Sequence, residues 1–158
     1  MAARVKLKDI VEAMDFQIEE TTSLLDKKSG VIHHFADEVL AQVEDEDLEK
    51  LLAKCPEWQK GDYLAAAEYQ MRSEDFVSLP SKFDIHEWQI MSDFAGTIQD
   101  PKIAAKLDRA LHGTGAFRYF KDVLDECGLW DSWNAYRAKR FEEMAKKWCE
   151  ENGVEWEE

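Results

Sequence analysis

The sequence predicts an α+β fold that is predominantly α-helical, with about seven helices and a small antiparallel sheet of two or three strands near the N-terminus. Three observations carry this. Apolar residues recur at helical spacing through most of the chain. One stretch, Thr21 to Phe35, reads instead as two β-prone runs around a polar turn. The aromatic load, 6 Trp and 8 Phe, belongs to a packed core, since disordered chains are depleted in such residues.

Leu7, Ile10, Val11 and Met14 share one helix face and predict a first helix from Lys6 to Phe16. Thr21 to Leu25 and Val31 to Phe35 then flank Asp26-Lys27-Lys28-Ser29-Gly30. The pattern predicts a hairpin whose turn ends on Gly30 with positive φ, a conformation open to glycine at little cost. Val39, Leu40 and Val43 form one short stripe, and Leu48, Leu51 and Leu52 form a second. The second stops at Cys55-Pro56, because the residue before a proline avoids helical geometry. The alanine-rich segment from Trp58 to Arg72 predicts a further helix. Phe76 to Leu79 is a short strand that joins the hairpin as a third, the minimum for a stable small sheet.

From Asp84 the pattern is helical to the end. Asp84 and Glu87 have the spacing of a capping box, opening a helix with Trp88, Met91, Phe94, Ala95 and Ile98 on its apolar face. Asp100-Pro101 starts the next, with proline at the first helical position and Ile103, Leu107, Ala110 and Leu111 buried. Gly113 stops it, and Thr114 caps a helix carrying Phe117, Phe120, Val123, Leu124 and Cys127. Gly128 ends that helix. A last one opens at Asp131 or Ser132 and closes at Asn152-Gly153. There is no internal repeat and no long linker, so residues 1–158 read as one domain with a soft joint near Pro80.

Twenty Lys and Arg against 34 Asp and Glu leave a formal net charge of −14. That charge disfavours nucleic acid and anionic membranes as partners. No run approaches the roughly 18 apolar residues of a membrane span, and Met1 to Lys8 holds no apolar signal core. Cys55, Cys127 and Cys149 are odd in number and widely spaced, which predicts free, reduced thiols in a cytoplasmic protein.

Three segments carry a family resemblance. They are Leu25-Asp26-Lys27-Lys28-Ser29-Gly30-Val31, Leu79-Pro80-Ser81-Lys82-Phe83-Asp84-Ile85-His86-Glu87-Trp88, and Gly113-Thr114-Gly115-Ala116-Phe117-Arg118-Tyr119-Phe120-Lys121-Asp122. With the closing Trp148-Cys149-Glu150-Glu151-Asn152-Gly153, they make the chain resemble a bacterial family known as uncharacterised protein family 0158, from about Leu24 to Trp156. The resemblance implies a bacterial source. It implies no catalytic residues, because the family has no established function.

The residues offer few sites of their own. His33 and His34 are adjacent on a strand, so they point to opposite faces and do not chelate one ion; His86 and His112 have no partner at helical zinc spacing. No metal, cofactor or catalytic residue is therefore predicted, and no nucleophile elbow or phosphate loop is present. Gly113, Thr114 and Gly115 precede a helix N-terminus, which attracts anions, and Arg118 and Lys121 follow. The plain alternative is a helix–helix corner. Arg137 falls at the centre of a stripe of Trp130, Trp133, Phe141, Met144 and Trp148. Its charge needs an acid, with Glu87 a possible partner, or else it anchors a ligand carboxylate or phosphate. Two functions follow. One is a non-catalytic domain that binds or regulates another protein. The other is an enzyme or ligand-binding domain for a phosphorylated or carboxylated small molecule, using Gly113, Thr114, Gly115, Arg118, Lys121 and Arg137.

Overall fold

A computed structural model describes residues 3–158. In order, the elements are β1 (Val5–Lys6), α1 (Leu7–Asp15), β2 (Thr21–Asp26), β3 (Ile32–Ala36), α2 (Asp37–Asp45), α3 (Leu48–Lys54), α4 (Lys60–Met71) and β4 (Phe76–Ser78). They continue with α5 (Lys82–Ile85), α6 (Glu87–Thr97), α7 (Pro101–Leu111), α8 (Ala116–Cys127), α9 (Trp130–Glu151) and β5 (Trp156–Glu157). The fold is α+β and mainly α. Two compact units are present. One is the described part of Met1–Ser81 with Ala145–Glu158, and the other is Lys82–Met144.

The first unit is built on the predicted three-stranded sheet, in the order β3-β2-β4, with both neighbours antiparallel to β2. The β2–β3 turn closes with Gly30 N–H on the Asp26 carbonyl at 2.8 Å, and Gly30 has φ +76°. Strand residues alternate between faces, so Leu24 and Leu25 are buried on opposite sides of the sheet. Leu24, Phe35 and Phe76 pack with Val39, Val43, Leu51, Tyr63 and Ala66 of α2, α3 and α4. On α1, Leu7, Ile10, Ala13 and Met14 are buried. The indole of Trp148 donates to the Ser78 carbonyl at 2.9 Å.

A second sheet, absent from the sequence expectation, pairs β1 with β5 in parallel. Gly153 at φ +64° turns the chain after α9, and Val5 N–H then donates to the Glu155 carbonyl at 3.0 Å.

The second unit is helical. Its core includes Phe94 of α6, Phe120 of α8 and Trp133 of α9, whose rings meet edge to face with centroids 5.1–6.3 Å apart. Asp100 caps α7 as expected, its carboxylate accepting from Lys102 N–H at 2.9 Å. Three local expectations are corrected. Asp84 does not cap α6: it lies inside the short α5, which Ile85 anchors in the core, and His86 with φ +52° separates the two helices. Thr114 does not cap α8, because Gly115, left-handed at φ +77°, occupies that position with no side-chain cap. Trp88 and Phe117 are exposed, at 39% and 51%, and Ile90 and Met91 are the fully buried residues of α6. The indole N–H of Trp88 donates to the Leu111 carbonyl at 3.1 Å, which holds its polar edge at the surface.

Candidate functional site

The six residues singled out from the sequence all lie in the second unit. Gly113, Thr114 and Gly115 form the exposed corner between α7 and α8. Arg118 and Lys121 are exposed on α8. Arg137 is half-buried on α9, its guanidinium 4.2 Å from the Phe141 ring centroid, and its Nε donates to Glu87 Oε1 at 2.7 Å. Glu87 is thus an acid that meets this cation. Beside it, Arg140 bonds Asp93 at 2.8 Å and the Tyr136 hydroxyl at 3.0 Å. The Arg140 bond, with one from Gln89, holds the Asp93 carboxyl below the usual carboxylate range. None of the three clefts described next is lined by any of the six residues.

The more open chemistry lies in the first unit, along β3. The hydrogen-bond alternation fixes which way its backbone points. Asp26 N–H donates to the Val31 carbonyl and Asp37 N–H to the Glu20 carbonyl, each at 2.9 Å. Residues 31, 33, 35 and 37 therefore bond to β2, and the N–H and C=O groups of Ile32, His34 and Ala36 point outward from the sheet. Among the described residues, no strand pairs with β3 on that side. Residue-level devices that blunt such an edge include lysine, proline and an inward charge. None occurs between Ile32 and Ala36.

A cleft flanks this edge on each face of the sheet. One, of about 450 Å³, lies between α1 and β3, with Asp9, Glu12, Ala13 and Phe16 facing Ile32 and His34. The other, of about 490 Å³, is lined by Asp26, Lys28, Val31, His33, Glu68 and Arg72. The adjacent histidines therefore serve opposite faces, as strand geometry requires. His34 meets the Phe16 ring at 5.9 Å and bonds Ser23 Oγ at 2.7 Å, whereas His33 stacks on Phe35 at 5.2 Å. A third cleft, of about 410 Å³, lies away from this edge among Gln42, Leu51, Cys55 and Tyr63.

The two flanking clefts differ in charge. In the second, Arg72 bonds Asp26 at 2.8 Å, Glu68 at 3.0 Å and Asp75 at 3.0 Å, and Lys28 lies 3.4 Å from Asp75. Both of its cations are paired. In the first cleft, Asp9 and Glu12 sit exposed on one face of α1 and meet no cation among the described residues. Phe16 and Val31, 62% and 48% exposed, add apolar surface at its rim.

The sequence pattern did not single out this place: nothing in it marked Asp9 or Glu12, and His33 and His34 read as a failed chelate. The signal available was the hairpin itself, whose outer strand carries no lysine or proline. Among the described residues, no group of three or more His, Cys, Asp or Glu is placed to hold a metal ion, and no helix is long and apolar enough to cross a membrane. Cys55, Cys127 and Cys149 are free thiols, and burial pushes the Cys149 thiol up to about 11, so it stays protonated near neutral pH. No protein-family model, no curated protein and no solved structure matches the chain.

Proposed function

We propose that this chain is a non-catalytic binding or regulatory protein of the bacterial cytoplasm, and that it recognises another protein at the outer edge of β3. One observation carries the reading: a strand edge with unpaired backbone groups lies between two clefts, one on each face of the sheet. An extended segment laid along such an edge gains main-chain hydrogen bonds for affinity. Its alternate side chains enter the two clefts for specificity. The resemblance to uncharacterised protein family 0158 supplies no site residues, so the edge strand bears the proposal.

The test is affinity purification of the tagged chain from bacterial cytosol beside a His34→Pro variant, identifying proteins and small molecules in both. Proline at position 34 removes an outward N–H and the ring's bond to Ser23, and leaves the backbone bonds to β2 intact. A protein that co-purifies with the parent chain and not with the variant supports the reading. A phosphorylated or carboxylated small molecule retained by both, with no edge-dependent protein, overturns it in favour of a ligand-binding domain using Arg118, Lys121 and Arg137.

A further inference from the structure

Resting on that reading, we infer that the segment recognised at β3 is an extended stretch of another protein with lysine or arginine at alternate positions and uncharged residues between them.

The pattern follows from the geometry of strand addition. Side chains directly opposite each other on neighbouring strands share a face of the sheet. Residues added opposite Ile32 and His34 therefore present their side chains to the cleft with Asp9 and Glu12. The residue between them, opposite His33, presents its side chain to the cleft with Arg72. The first cleft offers two unpaired carboxylates above Ala13, Phe16 and Ile32. Lysine and arginine suit that combination, because their stems lie on apolar surface while their heads meet the acids. In the second cleft, Arg72 and Lys28 are already paired with acids. A charged side chain entering there loses solvation with no free counter-charge to replace it, so the intervening residue is uncharged.

A second copy of this chain is the competing occupant. It is disfavoured by charge, since each copy carries −14 and would bring its own Asp9 and Glu12 to the interface. A basic segment has the complementary sign both locally and at long range.

The experiment measures binding of labelled octapeptides to the full chain by fluorescence anisotropy at low salt. The probes are a peptide of alternating lysine and threonine, one of the same composition with the lysines contiguous, and one with glutamate replacing lysine. The alternating lysine peptide is expected to bind best. Binding should weaken by about tenfold or more on Asp9→Lys with Glu12→Lys, because close charge pairs become like-charge contacts. Two further peptides carry N-methyl groups on one or the other alternate set of amides. Strand pairing requires that one set abolishes binding and the other is tolerated. This readout holds even where His34→Pro perturbs the fold.

Equal binding of the contiguous-lysine peptide, or no effect of the charge reversal, overturns the alternating basic pattern. Tight binding of the glutamate peptide, lost on N-methylation of one set, overturns the basic partner and leaves the edge as the binding site. Lysine-peptide binding indifferent to both N-methyl sets and to His34→Pro overturns the edge reading itself. Binding by none of the peptides overturns the inferred segment, with the edge then judged by the purification. A dimer in sedimentation that His34→Pro dissociates assigns the edge to a second copy, and this overturns the inference.

Discussion

Asp26 is the one buried charged side chain among the described residues, 4% exposed, and its position decides how its surroundings are built. Burial pushes its carboxyl up, but bonds from Arg72, Lys28 N–H and Ser29 outweigh that and hold it below the usual carboxylate range. Arg72, held charged by Asp26 and Asp75, also lies over the Phe76 ring at 5.3 Å. Removing the cation strands a buried acid. Arg72→Met is therefore expected to destabilise the fold by about 3 kcal/mol in urea melts, and adding Asp26→Asn should recover part of that loss. The pH dependence has a definite sign. Because the folded pKa is depressed, the stabilisation is fully present above the unfolded value of about 4 and is lost as pH falls through the folded value. Thermal midpoints measured from about pH 6 down to about pH 2 should fall more steeply for the parent chain than for Asp26→Asn. Arg137 gives a contrasting case. Its partner Glu87 was legible as lying toward the apolar side of its helix, but its exposure was not. At 42% exposed, Glu87 is not stranded by Arg137→Met. The expected loss is only about 1–2 kcal/mol, mainly the contact with the Phe141 ring. A loss of 3 kcal/mol or more in denaturant melts would show that the contacts of Arg137 stabilise more than an exposed ion pair and a ring contact account for.

At the scale of elements, the β2–β3 hairpin was legible because two β-prone runs flank a turn that needs a left-handed residue, and Gly30 supplies it. Its φ is +76°, and a Cβ there would lie 3.2 Å from the Ala3 Cβ. Gly30→Val should thus cost about 1–2 kcal/mol from left-handed strain alone, with the Ala3 contact adding to it, as read by denaturant melts. The helices were legible from periodicity. Their starts at α6 and α8 were not, because His86 and Gly115 reach left-handed conformations that no side-chain capping pattern encodes. The β1–β5 ladder was illegible for another reason. It joins Val5 to Trp156 through two-residue strands, too short for any alternation and too far apart in the chain for a turn signal. The candidate site falls in the same class. Composition reveals strands, but the order β3-β2-β4, which leaves β3 open on one side, is a property of assembly. Attention to cations led to Arg118, Lys121 and Arg137, whereas the unpaired charges beside the open edge are the acids Asp9 and Glu12.

For the whole molecule, the decisive quantity is the excess of acids. With all 20 Lys and Arg matched one to one, 14 of the 34 Asp and Glu remain in excess. Many of the ion pairs that do form are exposed, such as Arg4–Glu155 and Lys147–Glu151, and exposed pairs contribute little. Self-repulsion among the excess acids therefore outweighs what screening takes from the pairs. The Debye length shortens from about 30 Å at 0.01 M salt to about 8 Å at 0.15 M, so distant repulsions fade while contacts near 3 Å persist. The thermal midpoint should accordingly rise between those two salt concentrations, and a fall would mean that the surface pairs stabilise more than the repulsions destabilise. The recognition proposed at β3 should respond with the opposite sign. The attraction between a basic segment and Asp9 and Glu12 is exposed and is screened by the same salt, chiefly through a slower on-rate. Measured together on one sample, a rising melting temperature and a weakening peptide affinity would separate the two electrostatic effects. Affinity that held or rose with salt would place the recognition in the apolar contacts of Phe16 and Val31 rather than in the two carboxylates.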